Sequence, residues 1–254
     1  MSSRIGSRRA IVNNKSFVGT TVAEQVYYSK GSYGCYAYTY SAAAGSKYAS
    51  WSINPATFPN GCALNWYAPV VGLGGGVWGY HHIDYGNYDF SPVQTPIASV
   101  QVNNLTTAQV TFDFTYAGSP TFTLLHEMWL STSSHTTGAV SSDAVFEIGF
   151  FLHSPASVIA FHNSGTLIGT YTDNGINYTV RSHTATALYI TIVKSDNGDV
   201  LAGSINWLAA FDWLKTAGVI AGTEWVNGYG FGIEPNIGGG SGTINFNKFT
   251  MISS

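Results

Sequence analysis

The sequence predicts an all-β jelly-roll sandwich, two curved antiparallel sheets with one helix. Three observations predict it. Short runs rich in Val, Ile, Thr, Tyr and Phe recur along the 254 residues and are punctuated by Gly, Asn, Ser and Pro. Several of these runs alternate with period two, as strands do when one face is buried and the other is wet. A single segment carries helical spacing instead. About a dozen strands with one late helix fit two stacked sheets of the concanavalin-like kind.

The clearest strands read as 108–116, 121–130, 144–153, 188–193 and 242–252. Residues 204–219 place Ile205, Leu208, Ala209, Phe211 (or Asp212) and Leu214 at helical spacing. Ser204 is the expected N-cap of this helix and Gly218 lies near its end. The Gly-rich patches 72–76 and 238–242 read as loops. No internal repeat or interior linker divides the chain, so residues 31–254 are expected to form one domain.

Charged residues are only 9% of the chain, against an ordinary share of about 25%. Five of the ten basic residues (Arg4, Arg8, Arg9, Lys15, Lys30) fall in the first thirty positions beside one acid, Glu24. Residues 1–30 therefore read as a basic, flexible leader. The body keeps five basic residues against twelve acidic ones, which argues against nucleic acid as a partner. No run approaches the ~20 apolar residues of a membrane helix, and the leader lacks the apolar core of a secretory signal. A membrane partner is not expected. The seven His are scattered and the two Cys, Cys35 and Cys62, have no zinc-like spacing, so no metal is expected.

Because acids are rare, their positions inform. Three glutamates sit inside apolar, strand-like runs: Glu127 in 125–130, Glu147 in 145–152 and Glu234 in 230–235. Glutamate is depleted in strands and costly to bury unpaired. An outward-pointing residue on an edge strand explains one such glutamate, and explains three together poorly. On 144–153, parity puts Phe146, Ile148, Phe150 and Leu152 on one face and Glu147, Gly149, Phe151 and His153 on the other. Glu127 and Trp129 share a side likewise. Paired carboxylates on a face lined with aromatic rings meet the requirement for glycoside hydrolysis.

At these residues the chain resembles glycoside hydrolase family 12, over roughly residues 35–252. Residues 146–152 look like that family's nucleophile strand, usually Tyr-Glu-Leu-Met-Ile-Trp-Leu. Residues 232–235, followed by the 238–242 glycines and Thr243-Ile244-Asn245, look like its acid/base strand. Residues 126–130 sit where the family has a Tyr-Asp-Leu-Phe run whose acid assists the nucleophile, and the expected helix falls between the two catalytic strands, as in the family. The resemblance implies a retaining endo-β-1,4-glucanase of the cellulase type. Glu147 is then the nucleophile, Glu234 the acid/base and Glu127 the assisting acid. It also implies Trp51, Trp66, Tyr80, Trp129, Phe151 and Pro235 as substrate-binding residues. The expected partner is a β-glucan, the expected protein a secreted monomer without cofactor. Departures stand at Gly149 and Phe151, where the family has Met and Trp, and at Glu127, where it has Asp. The family's Asn-Asn-x-Trp run has no clean counterpart; Trp51 is the substitute. A Cys35–Cys62 disulfide is implied, since the family often bridges its N-terminal strands at similar spacing. Repulsion between the two catalytic carboxylates is expected to keep the acid protonated.

Rival readings make different demands. A non-catalytic sugar-binding module keeps the aromatics and dispenses with one glutamate. A coat or interaction protein leaves the groove acids unexplained. A xylanase of the related family lacks the Glu-Pro pair, while xyloglucan and mixed-linkage glucan stay open as substrates.

Overall fold

The computed structural model describes residues 19–39, 48–69, 76–88, 97–135, 143–185, 187–236 and 239–254. Residues 1–18 of the expected leader, and Gly72–Gly75 and Gly238 of the expected loops, lie outside them. The first strands are β1 (Thr20–Ala23), β2 (Tyr27–Lys30), β3 (Tyr33–Thr39), β4 (Ala49–Ile53), β5 (Cys62–Ala68) and β6 (Gly79–Gly86). Next come β7 (Val100–Gln101), β8 (Ala108–Gly118), β9 (Phe122–Ser131) and β10 (Ala144–His153). Helix α1 (Ala156–Ser164) precedes β11 (Thr166–Asp173), β12 (Ile176–His183), β13 (Leu188–Lys194) and β14 (Ala202–Asn206). Helix α2 (Trp207–Thr216) precedes β15 (Trp225–Val226), β16 (Gly228–Pro235) and β17 (Gly240–Ser253).

Two sheets hold these strands. The smaller runs β1-β4-β5-β17-β8-β14; the larger runs β11-β12-β13-β10-β9-β16-β6-β3-β2, with β15 and β7 appended. Residues 20–30, assigned to the leader by charge alone, instead form β1 and β2, which pair with β4 and β3. The pairing of β10 with β13 is parallel, because the chain leaves β10, passes through α1, β11 and β12, and re-enters beside it. This departs from the expectation of wholly antiparallel sheets.

Alternation along the strands builds the core. Phe112 and Phe114 of β8, Phe231 of β16, and Phe246 and Phe249 of β17 are buried between the sheets. Phe114 stacks on Phe231 with ring centroids 4.6 Å apart. Each such side chain contributes roughly 1.5–3 kcal/mol on burial. Trp51 and Trp66 belong to this core as well, 0% and 3% exposed. Trp51 shares the inner face of β4 with Ala49 and Ile53, and Trp66 that of β5 with Leu64 and Ala68. Both are packed where a sugar has no access, which corrects the expectation for them.

Cys35 and Cys62 are buried free thiols, so the implied disulfide is not formed. Burial first, and the facing thiol second, hold Cys35 in its neutral form, while the Cys62 thiol donates to the Pro59 carbonyl at 3.1 Å.

Helix α2 starts later than its sequence periodicity indicates. Asn206, not Ser204, caps it by accepting from the Ala209 amide at 3.1 Å. Residues 202–206 go to β14 because they complete a ladder with β8. The buried face is Trp207, Ala210, Phe211 and Leu214, a 3.6-residue stripe whose first member is the tryptophan. Helix α1 was not expected: residues 156–164 show no amphipathic period, and only His162 is buried. Among the described residues, no helix is long and apolar enough to cross a membrane.

Trp207 ties α2 to the back of the large sheet. Its indole Nε1 donates to His126 Nδ1 at 2.6 Å, and its ring meets Phe150 edge-on at 5.1 Å. Burial pushes the pKa of His126 and of the similarly enclosed His81 down to about 3. Both stay neutral in the fold and charge readily in the unfolded chain, whose His pKa is about 6.5. The stability they allow is complete above pH 6.5 and is lost as pH falls toward 3. Urea melts at pH 5 and pH 7 are expected to show a lower midpoint at pH 5. Equal midpoints would mean that these imidazoles are not buried.

Candidate active site

The outer face of the large sheet is set by parity. On β10, Ile148 and Phe150 enter the core, so Glu147, Gly149 and Phe151 face outward. Register then places their neighbours. Glu147 lies opposite Trp129, Glu127 opposite both Gly149 and Gly230, and Glu234 opposite Thr123. The three glutamates therefore form an oblique row across adjacent strands β10, β9 and β16. Glu127 is buried, whereas Glu147, Glu234 and Trp129 are half-buried.

This face is a trough. Tyr80 on β6 and Tyr189 on β13 stand four strands apart in the sheet order, yet a charge on Tyr189 reaches the Tyr80 hydroxyl. Strands so separated in a flat sheet lie about 19 Å apart, so the two side chains lean toward each other over the strands between. Tyr189 is also the partner of Glu147 across β10 and β13.

Tyr88, Tyr80 and Leu125 form a small buried cluster with Trp129 packed against it. The Tyr88 ring lies over Gly230, where any Cβ would meet it at 2.7 Å. From there its hydroxyl donates to Glu127 Oε1. Glycine at 230 thus lets a tyrosine reach Glu127. At Gly149, the edge of the Phe151 ring lies 3.2 Å from where a Cβ would stand. Phe151 itself is 4% exposed and lies 6.2 Å from Tyr189, centroid to centroid.

Desolvation pushes the Glu234 pKa up to about 7. The expectation of a protonated acid is met in direction; its cause is burial, where carboxylate repulsion was expected. Pro235 points the opposite way. It is buried, and its carbonyl accepts from the Trp78 amide at 2.8 Å. Pro235 thus anchors the end of β16 from the core side and lines no groove, which corrects its assignment.

Two residues of this face escaped the sequence reading. Asp84 on β6 lies opposite Gly230, the partner of Glu127. It is fully buried, with His82 Nε2 3.0 Å from its Oδ1. It too is an acid inside an apolar strand-like run, the signal that flagged the glutamates. Tyr88 carried no sequence signal, because it follows the strand and reaches Glu127 only through the fold. Among the described residues, no group of His, Cys, Asp and Glu is placed to hold a metal.

The two-sheet sandwich is the fold of the family 12 glycoside hydrolases. A family GH12 endoglucanase 3 from Trichoderma harzianum superposes with a TM-score of 0.70 at 21% identity, covering 93% of this chain and 98% of that one. A family 12 xyloglucanase from Bacillus licheniformis gives 0.71 at 14% identity, with 92% and 100% covered. An endoglucanase from Rhodothermus marinus gives 0.68 at 15%, with 93% and 96% covered. No family model matches the sequence, and no curated protein matches it.

Proposed function

We propose that the chain is a retaining endo-β-1,4-glucanase acting on unbranched β-glucan. The observation that carries this reading is the oblique row of Glu147, Glu127 and Glu234 across an aromatic trough, with Glu234 held protonated near neutrality by burial. In this reading Glu147 attacks the anomeric carbon while Glu234 donates its proton to the glycosidic oxygen. The C–O bond breaks and the sugar stays on Glu147 as an ester. Glu234, now ionised, takes a proton from water, which displaces Glu147 from the opposite side and restores the starting configuration. Glu127, itself oriented by Tyr88, tunes Glu147 from the next strand. Trp129 and Tyr189 bracket Glu147 from either side and offer ring faces to the chain. The enzyme needs no cofactor and works as an extracellular monomer on a polymer too large to enter a cell.

Retaining chemistry requires carboxyl groups about 5–5.5 Å apart. Register sets Glu147 opposite Trp129 and Glu234 opposite Thr123, so that spacing calls on the twist of the sheet and the reach of both side chains.

A panel of carboxymethyl cellulose, xyloglucan, mixed-linkage glucan and xylan tests the reading. Viscosity of carboxymethyl cellulose is expected to fall well before much reducing sugar appears, as internal cleavage requires. Cleavage of xylan alone, or release of cellobiose only from chain ends, would sink it.

A further inference from the structure

We propose that Phe161, on helix α1, is a sugar-stacking residue that extends the trough beyond Tyr189 and holds a glucosyl unit away from the bond that is cut. This rests on the reading of the trough as a glucan site and adds an outlying subsite to it. On β13, Ile190 and Ile192 enter the core, and on β12 Tyr178 and Val180 do so, which leaves Tyr189 and His183 facing outward. Register then draws a straight line across the outer face. Trp129, Glu147, Tyr189 and His183 stand opposite one another on β9, β10, β13 and β12. Phe161 ends this line: its ring stacks on His183 with centroids 4.1 Å apart at 16°, and lies 6.2 Å from Tyr189. Two strand spacings, about 10 Å, separate β12 from β10 and hence His183 from Glu147.

The core gains little from this ring. Helix α1 buries only His162, and polar contacts pin it to the outer face of the sheet. His162 Nδ1 lies 2.7 Å from Thr191 Oγ1, and Arg181 Nη1 donates to the Gly165 carbonyl at 2.8 Å. Phe161 is 43% exposed although His183 covers one face of its ring, so the open surface is the other face and the rim. A lone exposed apolar residue is ordinary on a protein surface. A phenyl ring clamped flat at the end of a line through Glu147 is placed to meet a ligand lying along that line. Such a ligand must offer a flat apolar patch and tolerate a row of acids. A pyranose does both: its C–H groups carry a slight positive charge toward the negative face of the ring, and its hydroxyls stay in water. Phosphates and other anions are repelled by the glutamates.

Substrate length tests this. Cellohexaose is long enough to lie over Phe161 while its scissile bond sits at Glu147, whereas the sugars of an aryl cellobioside end short of it. Phe161→Leu keeps an apolar cover on His183 and removes the ring face. It is expected to lower the ratio of kcat/KM on cellohexaose to kcat/KM on the aryl cellobioside roughly 10-fold. Phe161→Tyr, which restores a ring, is expected to recover the wild-type ratio. A wild-type ratio in Phe161→Leu would overturn the assignment. If it arose from equal losses on both substrates, Phe161 would be a support for α1; if from no loss at all, the ring would lie off the path of the chain. A ratio that Phe161→Tyr leaves as low as Phe161→Leu would overturn it too. These outcomes leave the glucan site standing, whereas wild-type protein that cleaves neither substrate would sink the site and the subsite together.

Discussion

Glu147→Ala is expected to lower hydrolysis of β-1,4-glucan by about 10⁴-fold or more, the usual scale for deleting a nucleophile. Sodium azide is expected to restore part of the turnover on an aryl cellobioside. Azide enters the space left by the carboxylate, attacks the anomeric carbon from that side and expels the phenol, giving an α-glycosyl azide from a β-glycoside. Glu127→Gln is expected to keep weak, retaining activity, because it removes a tuning hydrogen bond and leaves the attacking group in place. The distinction is needed because both glutamates face the trough as diagonal neighbours, Glu127 opposite Gly149 and Glu147 two residues before it on β10. Mechanism-based labelling with a fluoro-sugar, mapped by peptide mass, decides between them. A label on Glu127 would exchange the two roles.

Glu234→Gln is expected to separate substrates by leaving group. Cleavage of glucan, whose sugar leaving group needs a proton, is expected to fall by roughly 10²–10⁴-fold. An aryl cellobioside with an acidic phenol is expected to lose far less in the first step. The wild-type kcat/KM is expected to fall on the alkaline side near pH 7, where Glu234 loses its proton. Stability gives an independent reading. The folded state holds this proton more tightly than the unfolded chain, so the contribution of Glu234 to stability declines as pH rises from about 4.5 through about 7, opposite in sign to that of the buried histidines. Glu234→Gln removes that decline and is expected to be the more stable protein at pH 8, by on the order of 2–3 kcal/mol. Parallel stability profiles for the two proteins from pH 5 to pH 8 would show that Glu234 is solvated and unsuited to its role.

How much of this was legible depended on whether local pattern or tertiary context governed each residue. The parity of β10 was readable, because Phe146, Ile148, Phe150 and Leu152 left Glu147 no other face. The same signal was present for Trp51 and Trp66, which share parity with Ile53 and Leu64 while serines and an asparagine alternate with them. Matching to a family's stacking tryptophan overrode that alternation, and the alternation was right. Pro235 failed likewise, since the residue after an outward glutamate on a strand must turn inward. Helix α1 lacked any periodic signal, its two turns being held by His162 Nδ1 bonding to Thr191 Oγ1 at 2.7 Å. The Tyr88–Glu127 contact joins residues far apart in sequence across a glycine, and no local reading discloses it.

Strand order also dictates when the molecule can come into being. In the smaller sheet β17 lies between β5 and β8, and in the larger sheet β16 lies between β9 and β6. Until residues 228–253 have left the ribosome, each sheet is two separate halves with raw edges facing a gap that only those residues fill. The chain therefore cannot fold progressively as it is made. It must stay open through synthesis and close in one late, long-range step, with loop closure spanning more than a hundred residues for the pairing of β16 with β6. Such a chain is well suited to being moved or chaperoned while unfolded, and ill suited to losing its last two strands.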